Sequence, residues 1–191
     1  MPEPIDFDIQ PTGIISKNFL LHNIYTFSQA ANFIRKLNYG RNENKTNLAT
    51  VFDDKCGTCS TKHALLKLLS EENNITDLKL MIGIFKMNAI NTPKIAYTLN
   101  KNHLLYIPEA HNYLKWETHI LDYTTEFSKP GDFINDLLEE IEIQPDQISS
   151  FKVAYHQNFL ADWLKNQPNL KFSIEGLWRV REQCILDLSA N

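Results

Sequence analysis

The spacing of apolar residues divides the chain into two helical parts with a strand-rich part between them. Residues 1–24 are expected to be extended, because Ile5, Phe7 and Ile9 alternate with polar residues. Apolar residues on one side then predict a helix from Ser28 to about Leu37 and another from Ser60 onward. The helix from Ser60 carries a stripe of apolar residues that is expected to be buried: Ala64, Leu65, Leu68 and Leu69.

The central part of the chain is typical of a β-sheet. The run from Asp77 to Met87 is long and apolar enough to be a central strand. Three shorter strand-like runs follow it, at residues 104–107, 110–116 and 118–123. The last two lie so close together that an antiparallel hairpin is the natural connection between them.

Helical spacing returns in the last third of the chain, around residues 133–141, 159–164 and 177–188. We therefore expect an α+β protein in which the helix from Ser60 packs on a mostly antiparallel sheet, with additional C-terminal helices. Residues 1–191 are expected to form a single domain, with a core at about 28–128 and a helical C-terminal extension at 131–191.

Composition and charge narrow the classes of function. The 191 residues carry a net charge of -4, which gives no electrostatic reason to expect nucleic acid or an anionic membrane as a partner. No apolar run is long enough to span a bilayer, and the N-terminus shows no signal-peptide pattern. Three cysteines are too few for a disulfide-stapled secreted scaffold. A cytoplasmic location follows as the expectation.

Cys59 is the residue around which a site is predicted. It stands at the start of the helix from Ser60, where Thr58 or Ser60 can accept hydrogen bonds from the first backbone N–H groups. The positive end of a helix dipole favours a thiolate, which is the nucleophilic form of cysteine. The polar neighbours, which include Gly57 and Lys62, are not typical of a hydrophobic core, and this favours a functional cysteine over a packed one.

A nucleophilic cysteine needs a base, and a third group must orient that base. If the hairpin turns near Trp116 and Glu117, His111 faces Asp122 across the two strands, where paired Cβ atoms lie about 5 Å apart. A carboxylate in that place can hold the imidazole N–H and fix its tautomer. The hairpin geometry therefore selects His111 from the six histidines of the chain.

The stretch Gly57 to Leu66 resembles the cysteine-helix signature of the transglutaminase-like superfamily, relatives of papain-type cysteine proteases. That signature is Gly-x-Cys followed by a helix rich in Ala and Leu. His111 resembles the histidine that opens the next strand in the family, and the run from Leu121 to Thr124 resembles its Asp-x-Thr ending. The resemblance covers residues 57–124 in the family order Cys, His, Asp.

The resemblance implies a cysteine hydrolase or acyltransferase that acts on a peptide or an amide-bearing small molecule. The sequence contains no Asp-x-Asp-x-Asp-Gly calcium loop, and no metal or other cofactor is expected. Cys59 would be the nucleophile, His111 the base and acid, and Asp122 the orienting carboxylate. The Cys59 backbone N–H would supply one oxyanion donor. Candidates for the second donor and for the cleft lining are Asn42, Arg41, Tyr113 and Glu109. Many members have His-Ala-Trp where this chain has His111-Asn112-Tyr113, which leaves the substrate undefined.

Three other functions fit parts of the sequence. Cys56 and Cys59 form a C-x-x-C at a helix start, as in thiol-disulfide oxidoreductases, although no apolar strand runs directly into Cys56. The same two cysteines with two histidines would be a zinc site, but no second close pair of ligands appears at the spacing such sites use. The family also contains catalytically silent members, so a binding module of the same fold is a further alternative.

Overall fold

The structure is a computed structural model, and it describes residues 4–189. The helices are α1 (Ile14–Leu21), α2 (Phe27–Lys36), α3 (Thr50–Asp54), α4 (Cys59–Glu72), α5 (Ala96–Lys101), α6 (Ser150–Lys165) and α7 (Ile174–Ser189). The strands are β1 (Asn38–Tyr39), β2 (Cys56–Gly57), β3 (Lys79–Asn88), β4 (Tyr106–Trp116), β5 (His119–Leu121) and β6 (Leu137–Ile143). None of the helices within residues 4–189 is long and apolar enough to cross a membrane.

The expected α+β class is confirmed. Four strands form a mostly antiparallel sheet in the order β5-β4-β3-β6, and β1 pairs with β2 in a separate parallel pair. Two further helices, α6 and α7, follow the sheet toward the C-terminus.

The described residues fall into two compact units. The first contains residues 4–82, 111–130 and 141–149, and the second contains residues 83–110, 131–140 and 150–189. The single-domain assignment of residues 1–191 stays a prediction.

The first unit is built around α4. Helices α1 and α2 and the 3₁₀ turn Pro145–Ile148 all contact it. The apolar side chains of α4 that have no solvent exposure are Ala64, Leu65, Leu66 and Leu69, whereas Leu68, which was expected to be buried, is half-buried. Because so much of α4 is covered, polar side chains near its start are buried as well, and their polar atoms need partners within the unit.

The second unit contains α5, α6 and α7, and α7 contacts both of the other helices. Its interior includes a bidentate ion pair in which Arg181 donates to both oxygens of Glu109, with the Nε to Oε2 distance at 2.8 Å. Both side chains are nearly covered, so each charge depends on the other.

Two segments have a different secondary structure from the one that the sequence predicted. Residues 14–21 are helical although an extended segment was predicted, because the Glu72 carboxylate accepts hydrogen bonds from the N–H groups of Ile15 and Ser16 at 3.0 and 2.6 Å. Residues 137–143 form β6 and not a helix. In this segment Glu140 and Glu142 alternate with apolar residues, and pairing with β3 overrides the helical spacing.

Candidate active site

Cys59 is the first residue of α4, one position before the predicted start. Thr58 is the N-cap, and it forms a capping box with Thr61: the Thr61 N–H donates to the Thr58 hydroxyl, and the Thr58 N–H donates to the Thr61 hydroxyl at 3.0 Å. The Cys59 side chain is buried. The backbone N–H groups of this first turn have no intrahelical acceptor, so the helix end favours a negative charge here.

Gly57 has a steric reason to be glycine. A Cβ at this position would lie 2.9 Å from Cγ of Lys62 and 3.0 Å from the Thr61 hydroxyl oxygen. The small residue two positions before the cysteine therefore makes room for the Lys62 side chain to pass beneath the start of α4.

The hairpin brings His111 and Asp122 together, but in a different register from the predicted one. Trp116 pairs with His119 and Leu114 with Leu121, so the turn is at Glu117, whose φ of 51° is left-handed. The prediction was wrong by two residues. A shift of two keeps each side chain on its face of the sheet, and diagonal neighbours on one face remain within reach of each other. His111 Nε2 accordingly lies 3.0 Å from Asp122 Oδ2.

Asp122 is an ionised acceptor with both oxygens engaged. Its Oδ1 accepts from the Thr124 N–H at 2.9 Å and from the Thr124 hydroxyl at 2.5 Å, while Oδ2 accepts from His111. Burial alone would raise the pKa of Asp122, but His111 and these hydrogen bonds outweigh burial and hold the pKa well below its usual range.

His111 is in hydrogen-bond contact with both Asp122 and the Cys59 thiol. Because Nε2 faces Asp122, Nδ1 is the ring nitrogen left for the sulfur. Burial lowers the pKa of His111, yet the negative charges of Asp122 and Cys59 act more strongly and raise the pKa to about 10. At neutral pH this arrangement favours an imidazolium beside a thiolate.

His63 is a second imidazole in the site, and its hydrogen bonds fix it as neutral. Its Nδ1 lies 2.7 Å from the Cys59 carbonyl oxygen, and its Nε2 accepts from the Tyr123 N–H at 2.7 Å. The 3.6 Å separation between His63 Nε2 and Asp122 is therefore not an ion pair, because the nitrogen presents a lone pair. Burial lowers the pKa of His63 to about 4, although Asp122 acts in the opposite direction.

Lys62 is fully buried beneath the same site. Its ammonium donates to the carbonyl oxygens of Leu37 and Thr124 at 2.6 and 2.7 Å. Burial lowers the pKa of Lys62 to about 8, while the thiolate forms of Cys56 and Cys59 and the carboxylate of Asp122 act in the opposite direction. The sequence expectation that the residues beside Cys59 avoid the core was wrong, since Ser60 and Lys62 are both buried.

A chain of hydrogen bonds connects α4 to the two central strands. The Ser60 hydroxyl donates to Asn112 Oδ1 at 2.9 Å, and the Asn112 amide donates to the Met81 carbonyl at 2.9 Å. Since Ser60 and Asn112 directly follow Cys59 and His111 in the sequence, this chain fixes the backbone of the cysteine relative to that of the histidine.

Asn42 and Arg41 lie in the loop before α3, and the Asn42 side chain connects this loop to α3, β2 and α4. The Asn42 amide donates to Asp54 at 3.0 Å and to the Cys56 carbonyl at 2.9 Å, and its oxygen accepts from the Thr61 hydroxyl. Both amide hydrogens are thereby used, which leaves none for an oxyanion. Arg41 is exposed, and its carbonyl faces the Cys56 thiol at 3.9 Å. The role of Arg41 as an oxyanion donor stays a prediction.

Tyr113 and Glu109 are not surface residues. Tyr113 is fully buried, and its ring stacks with His111 at a centroid distance of 6.2 Å. It therefore supports the histidine from within the sheet. Glu109 belongs to the second unit, where Arg181 occupies both of its carboxylate oxygens. A role for either in lining a cleft stays a prediction.

Cys56 differs from Cys59 in its surroundings. It lies in β2, paired with Asn38 of β1, and it is a free cysteine. Burial and the nearby Asp54 raise the pKa of the Cys56 thiol, which disfavours the thiolate that disulfide exchange requires. Within residues 4–189 no group of three or more His, Cys, Asp or Glu side chains is arranged to hold a metal ion.

Comparisons with protein-family models, with curated proteins and with solved structures find no match for this chain.

Sequence reasoning assigned no role in the site to three residues that complete it. Lys62 and His63 follow Cys59 in the same helix, and no sequence pattern connected either of them with the predicted catalytic residues. Thr124 stands two positions after Asp122, and this spacing is typical of a hydroxyl that bonds back to a carboxylate. That local pattern is the one signal that the sequence offered for any of the three.

Proposed function

We propose that this protein is a transglutaminase-like cysteine enzyme that cleaves or transfers the acyl group of an amide through a Cys59 thioester. The observation that carries the proposal is the position of His111, whose ring has hydrogen bonds with both the Cys59 thiol and Asp122. Covalent acyl transfer uses this arrangement, in which a base contacts the nucleophile on one side and an orienting carboxylate on the other.

In the first step the Cys59 thiolate attacks the carbonyl carbon of the substrate, and the carbonyl electron pair moves onto its oxygen. His111, as the imidazolium, then gives its proton to the leaving nitrogen. The C–N bond breaks, the amine departs and the acyl group remains on sulfur as a thioester. Asp122 holds the imidazole in place and stabilises its charged form before the proton leaves.

In the second step water or an amine attacks the thioester carbonyl. Neutral His111 takes the proton of the attacking group, the C–S bond breaks, and the thiolate and imidazolium are restored. Attack by water gives hydrolysis, and attack by an amine gives transfer. The Cys59 backbone N–H at the start of α4 would donate to the carbonyl oxygen while that oxygen bears negative charge.

The proposal needs no cofactor, because these side chains carry out each proton transfer themselves. The substrate is proposed to be a peptide or an amide-bearing small molecule in the cytoplasm. Neither nucleic acid nor a membrane surface enters the reaction.

Trapping the thioester tests this function. The protein is treated with p-nitrophenyl acetate, an activated acyl donor, and the acetylated cysteine is identified by peptide mass spectrometry. We expect acetyl on Cys59 in the wild type and in the Cys56→Ala variant, none at position 59 in Cys59→Ala, and slow acetylation in His111→Gln.

Two results would contradict the proposal. One is acetylation of Cys59 at the same rate with and without the His111 imidazole. The other is an unreactive Cys59 in a folded wild type, which would favour the catalytically silent binding module.

A further inference from the structure

Lys62 is an unusual residue to find without solvent exposure, because burying an ammonium in a protein interior is costly unless hydrogen bonds and opposite charges compensate. Two main-chain carbonyls supply the hydrogen bonds. They belong to Leu37, which ends α2, and to Thr124, which follows Asp122. One side chain of α4 thus connects three segments of the first unit.

The connection to Thr124 bears directly on the carboxylate of the site. Thr124 donates to Asp122 through both its N–H and its hydroxyl, while its carbonyl accepts from Lys62. Lys62 therefore anchors Thr124 through its carbonyl, while the N–H and the hydroxyl of the same residue hold Asp122 Oδ1. A displacement of Thr124 would change the orientation of the carboxylate and then of His111.

The charge of Lys62 also acts on the site. The ionisable groups that face it are Cys56 of β2, Cys59 and His63 of α4, and Asp122 beyond β5. At the C-terminal end of α2, Lys62 donates to the uncharged carbonyl of Leu37. A positive charge beside this set favours the ionised forms of Cys59 and Asp122 and disfavours a proton on His63, and each of these states suits a thiolate nucleophile.

We propose that Lys62 is a positioning residue of the Cys59–His111–Asp122 site. It anchors Thr124, which in turn holds the Asp122 carboxylate, and it supplies the positive charge that favours the Cys59 thiolate. This inference rests on the proposed function, because it assigns Lys62 a task in preparing the same nucleophile. It goes beyond the three residues that the family resemblance implies.

Replacement of the lysine gives the first test, with alkylation of Cys59 by iodoacetamide measured across pH. In Lys62→Met we expect the midpoint of the rate profile to rise by about 1 pH unit, which makes alkylation about tenfold slower on the acid limb. The two profiles should meet at high pH. The matched control is Lys67→Met, because Lys67 is a buried lysine on the same helix that pairs with Glu71 and donates to Thr76. This control should follow the wild type within about twofold.

A structural role without the electrostatic one would give a different profile. If Lys62→Met slows alkylation by the same factor at every pH, or overlays the wild type, the proposal is wrong. Circular dichroism of each variant establishes that the profiles belong to folded protein.

A second measurement decides the question even if Lys62→Met does not fold. In protein with ¹³C-labelled lysine, the titration of the Lys62 Cε signal is followed in the wild type and in Cys59→Ser, which lacks the thiolate. Coupling between the two groups is reciprocal, so the pKa of Lys62 should be lower in Cys59→Ser. The Lys67 signal is the internal reference and should be the same in both proteins. An unchanged Lys62 titration would refute the inference.

The two proposals fail in distinguishable ways. An ordinary alkylation midpoint of about 8.5 for wild-type Cys59 would defeat the proposed function. A low midpoint in the wild type that Lys62→Met leaves unchanged would defeat the role of Lys62 and leave the function standing.

Discussion

His63 makes the stability of the protein depend on pH in a window that can be calculated. Burial keeps His63 neutral in the folded protein, with a pKa of about 4 in place of 6.5. Below pH 6.5 the unfolded chain binds a proton at His63 that the folded chain does not accept until about pH 4. Stability is therefore fully present above pH 6.5 and is lost as the pH falls through this window.

The magnitude follows from the difference between these two pKa values. Between pH 7 and pH 5, His63 alone should cost the folded state about 2 kcal/mol. Burial also lowers the pKa of His156 in the second unit, and the charges beside His111 raise its pKa, so the slope of the wild type includes contributions from these two histidines as well. The His63→Gln variant removes the His63 imidazole, and its difference from the wild type gives the contribution of His63 to the pH dependence of the free energy of unfolding.

The assay is urea unfolding followed by circular dichroism at several pH values between 7 and 5. We expect His63→Gln to lose about 2 kcal/mol less than the wild type over this range, whatever its stability at pH 7. His119→Gln serves as the control, because His119 is an exposed histidine at the start of β5. Equal slopes for the wild type and His63→Gln would refute the assignment of His63 as a neutral buried imidazole.

Three further predictions concern other contacts. Thr124→Val removes the hydroxyl that donates to Asp122 and should lower the free energy of unfolding by about 1.5–3 kcal/mol in urea titrations, whereas an unchanged value would show that the hydroxyl is dispensable. Cys56→Ala should keep acetylation of Cys59 within about twofold by mass spectrometry, because the Cys56 thiol faces Arg41; loss of the reaction would favour dithiol chemistry. Arg181→Met leaves Glu109 buried without this ion pair and should lower the free energy of unfolding by about 3–5 kcal/mol. The double variant with Glu109→Gln should recover much of this loss. A double variant no more stable than Arg181→Met would contradict this account of the ion pair.

The sequence predicted the parts of the site that local pattern determines. Apolar spacing and a capping residue located α4 to within one position, and two adjacent strand-like runs located the hairpin. The register was wrong because Glu117 takes a left-handed conformation without the glycine or asparagine that usually marks such a turn. The predicted contact between His111 and Asp122 is nevertheless present, since a register shift of two residues leaves both side chains on the same face of the sheet.

What the sequence could not show depends on contacts between distant segments. Helix α1 is capped by Glu72, which lies more than 50 residues away in the chain, so its own sequence carries no capping signal. Lys62 resembles a solvated lysine until the carbonyls of Leu37 and Thr124 are brought to it. In the same way, the apolar spacing over 133–141 is compatible with a helix, and pairing with β3 makes residues 137–143 a strand.

The rate of Cys59 alkylation by iodoacetamide as a function of pH tests the central claim most directly. Peptide mass spectrometry separates Cys59 from Cys56 and Cys184 in the same sample. A thiolate held by His111 and Asp122 predicts a rate that is already high at pH 5 and stays nearly constant to pH 8, and that becomes strongly pH-dependent in His111→Gln. A wild-type rate that rises with a midpoint near 8.5, as for an ordinary thiol, would contradict it.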